Sequence, residues 1–340
     1  MTKAPPLVKI GLALTLVVLF FLSFFLGRYS VDPITLLQGL FNHFFNPAAV
    51  ASGSSGYALD HVIFNIRLPR ILLVILVGAA LASAGASLQG MFRNPLVSPD
   101  LLGASAGASL GACVSMLLGL PTWALPLCAF AGGLIAVAAA VWFGRMVRYD
   151  PTLSLVLGGI LISTLFQAGV SLTKYLADPT DQLPNLTFWL MGGVSQVGQR
   201  DLVIAIIPLL LGFVVLFLQS WKLNVMSFGD EEAQAMGVNV RRTRVLVILA
   251  STLLASISVA VSGIIGWIGL VIPHFARAIV GPNYKALLPA SLLIGGSFLL
   301  VVDDVARLVS AVEVPVGILT AIVGVPFFIV IFRRNMKGWS

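Results

Sequence analysis

Charge is what this sequence has least of. Only 10% of its 340 residues are Asp, Glu, Lys or Arg, where a water-soluble domain carries about 25%. So few ionic groups cannot coat a water-facing surface, which excludes an ordinary soluble domain. Cysteine is scarce as well: Cys113 and Cys128 are the only two, both inside apolar runs and without a C-x-x-C spacing. A disulfide framework and a thiolate zinc site are excluded, and both thiols are expected to be inert packing groups. The three histidines, His43, His61 and His274, stand far apart and no H-E-x-x-H occurs, so a metalloenzyme has no support. No G-x-x-x-x-G-K-[ST] run exists. Without that phosphate-cradling loop the chain is not expected to be an enzyme, and any ATP coupling must come from another subunit. The net charge of +7 comes from basic residues flanking apolar runs, a pattern that reports topology; no nucleic-acid partner is expected.

What is abundant is apolar length. A bilayer core needs about 20 apolar residues per helix, and the charge-poor runs fall into ten segments, near 7–27, 71–89, 101–120, 122–144, 152–176, 202–220, 245–265, 266–281, 286–302 and 315–332. The expected fold is all-α: one polytopic membrane domain over residues 1–340 with about ten transmembrane helices. The eighth span carries Pro273 and His274 and follows the seventh almost without a linker, so one broken helix is the alternative there. The first run is longer than a signal-peptide core and lacks a small-x-small cleavage site, so a retained anchor is expected. An even count puts both termini on one side. Most Lys and Arg fall on that side, while the other holds only Arg28, Arg67, Arg70, Lys174, Arg200 and Arg307. The positive-inside rule then places both termini in the cytoplasm.

Small residues recur at every fourth position, Gly103, Gly107 and Gly111 in the third span and Gly132, Ala136, Ala140 and Gly144 in the fourth. Such stripes let helices approach closely in lipid. A weak echo links 78–95 with 256–273, each a small-residue helix running into a proline; if real, it relates the second and seventh spans as parts of inverted-repeat-like halves. The span interiors are nearly free of ionisable groups, with Gln89 and Gln167 as isolated polar exceptions. A carrier of bare ions, or one driven by protons, needs titratable groups near the midplane. An uncharged pathway suits a bulky solute whose metal is already coordinated, and an ion-coupled carrier acting alone is the second reading.

One loop is distinctive. Between Lys222 and Arg244 the chain reads SFGDEEAQAMGVNVRRTR at its core. Ser227 or Asp230 can cap a helix, Glu231 and Glu232 suit its positive end, and Gly237 can close it in a left-handed conformation. The expected product is a short surface helix, Glu231 to Met236, presenting Ala233 and Met236 with Arg241, Arg242 and Arg244 behind it; an ordinary solvated loop is the alternative.

This segment resembles the coupling segment of ABC-importer permeases. Together with RLPR at 67–70, GAALASAGASLQGMFRNPLVSPDLLG at 78–103, GWIGLVIPHFAR at 266–277 and the closing VPVGILTAIVGVPFF, it makes the chain similar to the FecCD family, the ten-span permeases for ferric siderophores, haem and cobalamin. The resemblance runs from about residue 60 to the C-terminus. It implies a protein of the inner, or cytoplasmic, membrane that pairs with a second permease subunit, as a homodimer, and with two cytoplasmic ATPase subunits. Its cargo would come from a periplasmic or surface-anchored binding protein. ATP and magnesium would sit on the ATPase, and this chain would bind no cofactor.

The same resemblance assigns residues. Coupling falls to Asp230, Glu231, Ala233, Met236, Gly237, Val238 and Arg241, within segment 222–244. Docking of the binding protein falls to Arg67, Arg70 and Arg307, whose forks suit paired carboxylates; the alternatives are interfacial anchoring, or an ion pair of Arg307 with Asp303 or Asp304 within its own helix. A cytoplasmic gate falls to Asn94, Leu96 and Thr152, against simple turns at helix ends. In the fifth span, Gly158, Gly159, Ser163, Thr164 and Gln167 carry mild polarity without charge. Ser163, Thr164 and Gln167 are the expected pathway lining. A ferric siderophore is the first expected cargo, with cobalamin, haem, and molybdate or tungstate behind; the loop 175–193 is similar to the oxyanion branch. Segment 46–60, rich in Ser, Gly and Ala, is expected to be an external loop with limited order.

Overall fold

The computed structural model describes residues 6–27, 32–46, 55–146, 151–195, 197–310 and 312–336, and every regular element among them is helical. The chain opens with α1 (Pro6–Phe25), α2 (Pro33–Phe45) and α3 (Ser55–Asp60); a π-helical stretch, His61–Arg67, leads into α4 (Leu68–Met91). A 3₁₀ turn, Asp100–Leu102, precedes α5 (Ala104–Leu117), followed by α6 (Ala124–Met146), α7 (Pro151–Leu176) and α8 (Gln182–Leu190). Then come α9 (Gln199–Met226), α10 (Asp230–Ala235), α11 (Val240–Ser262), α12 (Ile268–Val280), α13 (Tyr284–Leu308) and α14 (Val316–Met336).

Seven helices, α1, α4, α6, α7, α9, α11 and α13, are long and apolar enough to cross a membrane; α5, α12 and α14 are shorter apolar helices. Each of the ten expected segments therefore coincides with one apolar helix. The eighth is a helix of its own. α11 stops at Ser262 because Gly263 turns to φ +64°, and 263–267 is non-helical before α12 begins. The expectation of a loop at 46–60 is corrected at its end: 55–60 forms α3, which continues without a break into α4, while 47–54 lies outside the described residues. α2 went unforeseen although its start signal is plain. Asp32 accepts from the Thr35 backbone N–H at 2.8 Å and Pro33 follows at the first helical position.

α4 is the centre of the molecule and packs against α9, α11, α12 and α13. Its run GAALASAGAS explains why: lipid gives helices no hydrophobic reason to associate, so contact depends on backbones coming close. Gly78 faces the Gly295 carbonyl, Gly85 faces the Gly269 carbonyl, and Gly90 lies under the Tyr284 ring, so a Cβ at any of them would overlap its neighbour. The stripes on α5 and α6 do the same, with Gly107 and Gly132 face to face. Gly85→Ala must push α12 away from α4, and a destabilisation of about 1–3 kcal/mol is expected. Thermal unfolding in detergent checks this, with Gly198→Ala, where a Cβ meets nothing within 4 Å, expected to stay within about 0.5 kcal/mol of the parent.

Candidate functional site

A cavity of about 570 Å³ opens where two interrupted stretches of chain meet α7. The loop after α4 gives Ser98, Asp100 and Leu101; α5 gives Ser105, Ala106 and Ser109; α7 gives Ser163, Gln167, Val170, Ser171 and Lys174; Leu190 and the α11–α12 break with Ile264, Gly266, Trp267 and Leu270 complete it. The α7 residues recur at helical spacing, so they form one stripe along one face. Of the residues expected to line a pathway, Ser163 and Gln167 line this cavity. Thr164 does not: it lies on another, exposed face, its hydroxyl donating to the Ile160 carbonyl at 2.9 Å. Gly158 and Gly159 are packing residues, Gly159 tight against the Leu101 carbonyl.

The segments 78–95 and 256–273 that echo each other both run toward this wall. Non-helical backbone at membrane depth survives only where protein satisfies its polar groups. Both edges of the break are tied down: Gly263 N–H donates to the Val259 carbonyl at 2.8 Å, and the Trp267 carbonyl accepts from the Leu270 and Val271 N–H groups at 3.1 and 2.8 Å. Gly193 N–H donates to the Ser262 carbonyl at 2.7 Å and Gly317 N–H to the Gly192 carbonyl at 3.2 Å, joining the end of α11 and the start of α14 to the segment after α8. Trp267 takes φ +71° as the residue before α12, an uncommon conformation for a bulky side chain that persists only where surroundings enforce it. On the α4 side, Gln89 is buried, donating to the Leu270 carbonyl at 3.2 Å and accepting from Arg277 Nη2 at 3.2 Å. It clasps α12 rather than facing a pathway.

The expectation of an uncharged interior needs correcting, because Asp100 and Lys174 both line the cavity. The Ser105 hydroxyl donates to Asp100. Lys174, counted from sequence as a topological flank, has no carboxylate within ion-pairing distance among the described residues. Next to it, Asp178 organises the turn before α8. Hydrogen bonds from the Thr180 hydroxyl and from the Thr180 and Asp181 backbone N–H groups hold its carboxyl below the usual range.

A second cluster sits at the far end of α13. Arg70 grips Asp303 (Nη2 to Oδ1 2.8 Å, Nε to Oδ2 3.1 Å) and Glu313 (Nη1 to Oε1 3.0 Å, Nη2 to Oε2 2.9 Å). Arg307 donates to Ser23 Oγ at 2.7 Å and the Leu26 carbonyl at 2.8 Å, pairs with Asp304, and has Nε 3.3 Å from Asp303 Oδ2. Arg67 donates to the Phe24 carbonyl. The end of α1 is thus finished by arginines, which satisfy carbonyls a helix leaves unpaired. All three residues are buried, 6–7% exposed, and for Arg307 the ion pair with Asp303 and Asp304 weighed as the alternative is present. In this conformation the forks of Arg70 and Arg307 are occupied by the chain's own carboxylates.

At the opposite end of α13, Asn224 Oδ1 accepts from Tyr284 N–H at 2.8 Å and holds the end of α9; α10 follows directly. The short helix is real but starts one residue early, after Gly229, with no side-chain cap. Ser227 instead donates to the Asn224 carbonyl at 2.6 Å, and Asp230 pairs with Arg244 at 2.6 Å. Gly237 takes φ +80°. Ala233 and Val238 are buried, while Glu231, Met236 and Arg241 are exposed, so Ala233 anchors the helix rather than being presented. At the expected gate, Asn94 Oδ1 accepts from Leu96 N–H at 2.9 Å, a turn that leaves Leu96 40% exposed; neither lines the cavity. Thr152 is the second residue of α7.

Apolar helices long enough to cross a bilayer, around a cavity whose mainly apolar wall carries a few polar groups and broken connections, define a polytopic membrane protein built for passage of a solute. The model of the FecCD transport family matches residues 15–334, and the chain belongs to that family; it is a permease subunit of the ABC-importer type. It is 38% identical to the molybdate import system permease protein MolB of Haemophilus influenzae over 98% of this chain and 97% of that one. It is 39% identical to the hemin transport system permease protein HmuU of Yersinia pestis, over 84% and 87%. A solved structure described as an inward-facing conformation of a candidate metal-chelate type ABC transporter superposes with a TM-score of 0.84 at 37% identity, covering 97% of this chain and 99% of that one.

Removing Asp303 leaves two buried guanidiniums without their shared carboxylate. Asp303→Ala is expected to cost about 3–5 kcal/mol. Glu313→Ala removes a carboxylate that is 24% exposed and should cost no more than about 1 kcal/mol. Thermal unfolding of the two variants in detergent compares them.

Proposed function

We propose that this chain carries a metal chelate, a ferric siderophore first among candidates, from a binding protein into the cytoplasm. The carrying observation is the cavity wall. It is built of hydroxyls, one amide and apolar surface with one carboxylate and one ammonium, Asp100 and Lys174, and no cluster of metal-ligating groups among the described residues, which suits a solute whose metal already has its ligands. Both termini lie in the cytoplasm in this reading, and so does α10. The 25-residue α13 is about 37 Å long at 1.5 Å per residue. The coupling segment and the arginine cluster therefore stand at opposite membrane faces, as an importer driven from below and loaded from above requires.

Two ATPase subunits, holding ATP and magnesium, would grip α10. A nucleotide-driven motion shifts a permease between states only through a contact whose energy differs between them. The build of α10 suits a lever of that kind, since Ala233 and Val238 root it in the bundle while Glu231, Met236 and Arg241 face outward. A second copy of the chain would close the open side of α7. Gln167 and Ser171 are exposed there, and polar groups facing lipid are costly. Asn94, Leu96 and Thr152 would narrow the exit as helix ends move.

Docking of the binding protein is proposed at the arginine cluster through exchange of partners. Arg70 shares its fork between fully buried Asp303 and partly exposed Glu313; an acidic side chain of the binding protein can displace Glu313 while Asp303 keeps Arg70 in place. Glu313→Gln is expected to tighten binding-protein association about threefold to tenfold, read by surface plasmon resonance on nanodiscs. Weaker association would rule the exchange out. Gly237→Val forces a β-branched residue to φ +80°. It should leave basal ATP hydrolysis within about twofold while lowering uptake about tenfold or more, a coupling loss of about 1.4 kcal/mol. Proteoliposomes containing the cognate ATPase measure both, and unchanged uptake would remove α10 as the lever.

A further inference from the structure

The geometry points to an anionic cargo, or a cargo with an anionic face, recognised in the cavity by Lys174 together with Ser171 and Gln167. This rests on the reading of the cavity as the transport pathway and adds the charge class of what passes through it.

The wall has a polarity along α7. From Ser163 to Lys174 the stripe covers eleven residues, about 16 Å. The Asp100 segment is fixed at the Ser163 end, since Gly159 packs on the Leu101 carbonyl and Gly103 faces Ser163 Oγ. Lys174 stands at the other end, half-buried and without a carboxylate partner among the described residues. An ammonium held in a low-dielectric wall with no counter-ion attracts anions more strongly than one in bulk water. Two neighbours can join it. The Gln167 amide, two turns away, can donate to acceptor oxygens on a cargo, and the Ser171 hydroxyl, one turn away, can do so by turning from the Gln167 carbonyl, to which it donates at 3.0 Å. Asp100 opposes anions at its own end, where its carboxylate is held by Ser105. An anion is thus drawn to the Lys174 end and not trapped deeper, which is what passage requires: binding favourable enough to enter and weak enough to leave.

The same chemistry could come from an oxyanion or from an anionic ferric complex, and the experiment separates them. With Cys113 and Cys128 replaced by Ala, Gln167→Cys in nanodiscs is labelled by methanethiosulfonates bearing either a sulfonate or a trimethylammonium group. The anionic reagent is expected to gain at least about threefold over the cationic one, relative to their rates with free thiol. The gain should vanish with Lys174→Gln and survive Lys174→Arg. Thiol ionisation affects both reagents alike, so the ratio reads the field alone. A ratio that ignores Lys174→Gln, or a thiol that neither reagent reaches, overturns the inference. In proteoliposomes with the cognate ATPase and binding protein, ATP-dependent uptake of molybdate or of ferric citrate, lowered about tenfold by Lys174→Gln and restored by Lys174→Arg, supports it and names the source. Uptake confined to a neutral ferric trihydroxamate overturns it. If none of the three is carried while labelling stays anion-selective, the chelate reading fails and the charge inference stands.

Discussion

Every polar backbone group inside a bilayer must find its partner in the protein, and this structure turns that constraint into a site. Two stretches between helices, 92–103 and 263–267, leave regular structure inside the bundle. Hydrogen bonds pin their edges: Gly263 N–H to the Val259 carbonyl at one, the 3₁₀ turn and Ser98 at the other. Freed from helical packing, these stretches cannot fill the space beside α7, and the cavity is what remains. The close glycine contacts of α4 serve the same end, since they draw α12 and α13 near enough for the breaks to be covered.

Charge is distributed under the same rule. Buried ions are costly unless paired and hydrogen-bonded, and the arginine cluster meets the condition with Arg70 and Arg307 against Asp303, Asp304 and Glu313 and with Arg67 on the Phe24 carbonyl. It knits α1, α4 and α13 together at one end of the bundle. At the other end, Asn224 and Asn283 join α9 to α13. Rigid ends around an open middle are the mechanical form that the proposed lever requires, because a push on α10 would be transmitted through packed helices instead of being absorbed by slack. Lys174 breaks the pairing pattern, which is why it reads as a contact for something that arrives and leaves.

Much of this was legible beforehand. The long apolar runs marked all ten apolar helices, because hydrophobic length is a local property that no tertiary contact can override in lipid. The turn of Gly237 could be read from its glycine, and the short helix before it from its acidic start, although neither Ser227 nor Asp230 caps it. Ser163 and Gln167 drew attention through their polarity on an apolar helix and line the cavity, but the rotation of α7 was not given by composition, and Thr164 falls outside the cavity wall. Ala233 was misplaced for the same reason: a short helix has no periodic pattern long enough to say which side is buried. Asp100 and Lys174 were missed because they lie at the ends of apolar runs, where a charged residue looks like a boundary marker.

By itself, then, the sequence determined class, the order of the apolar spans and family, because spacing of apolar and small residues along the chain carries them. Which charges meet was decided only in three dimensions. Arg70 lies 233 positions from Asp303 and Ser23 lies 281 from Asp304, distances over which no local pattern speaks. The same holds for the cavity, whose wall is assembled from separate parts of the chain and exists only once α4 and α12 have closed on each other.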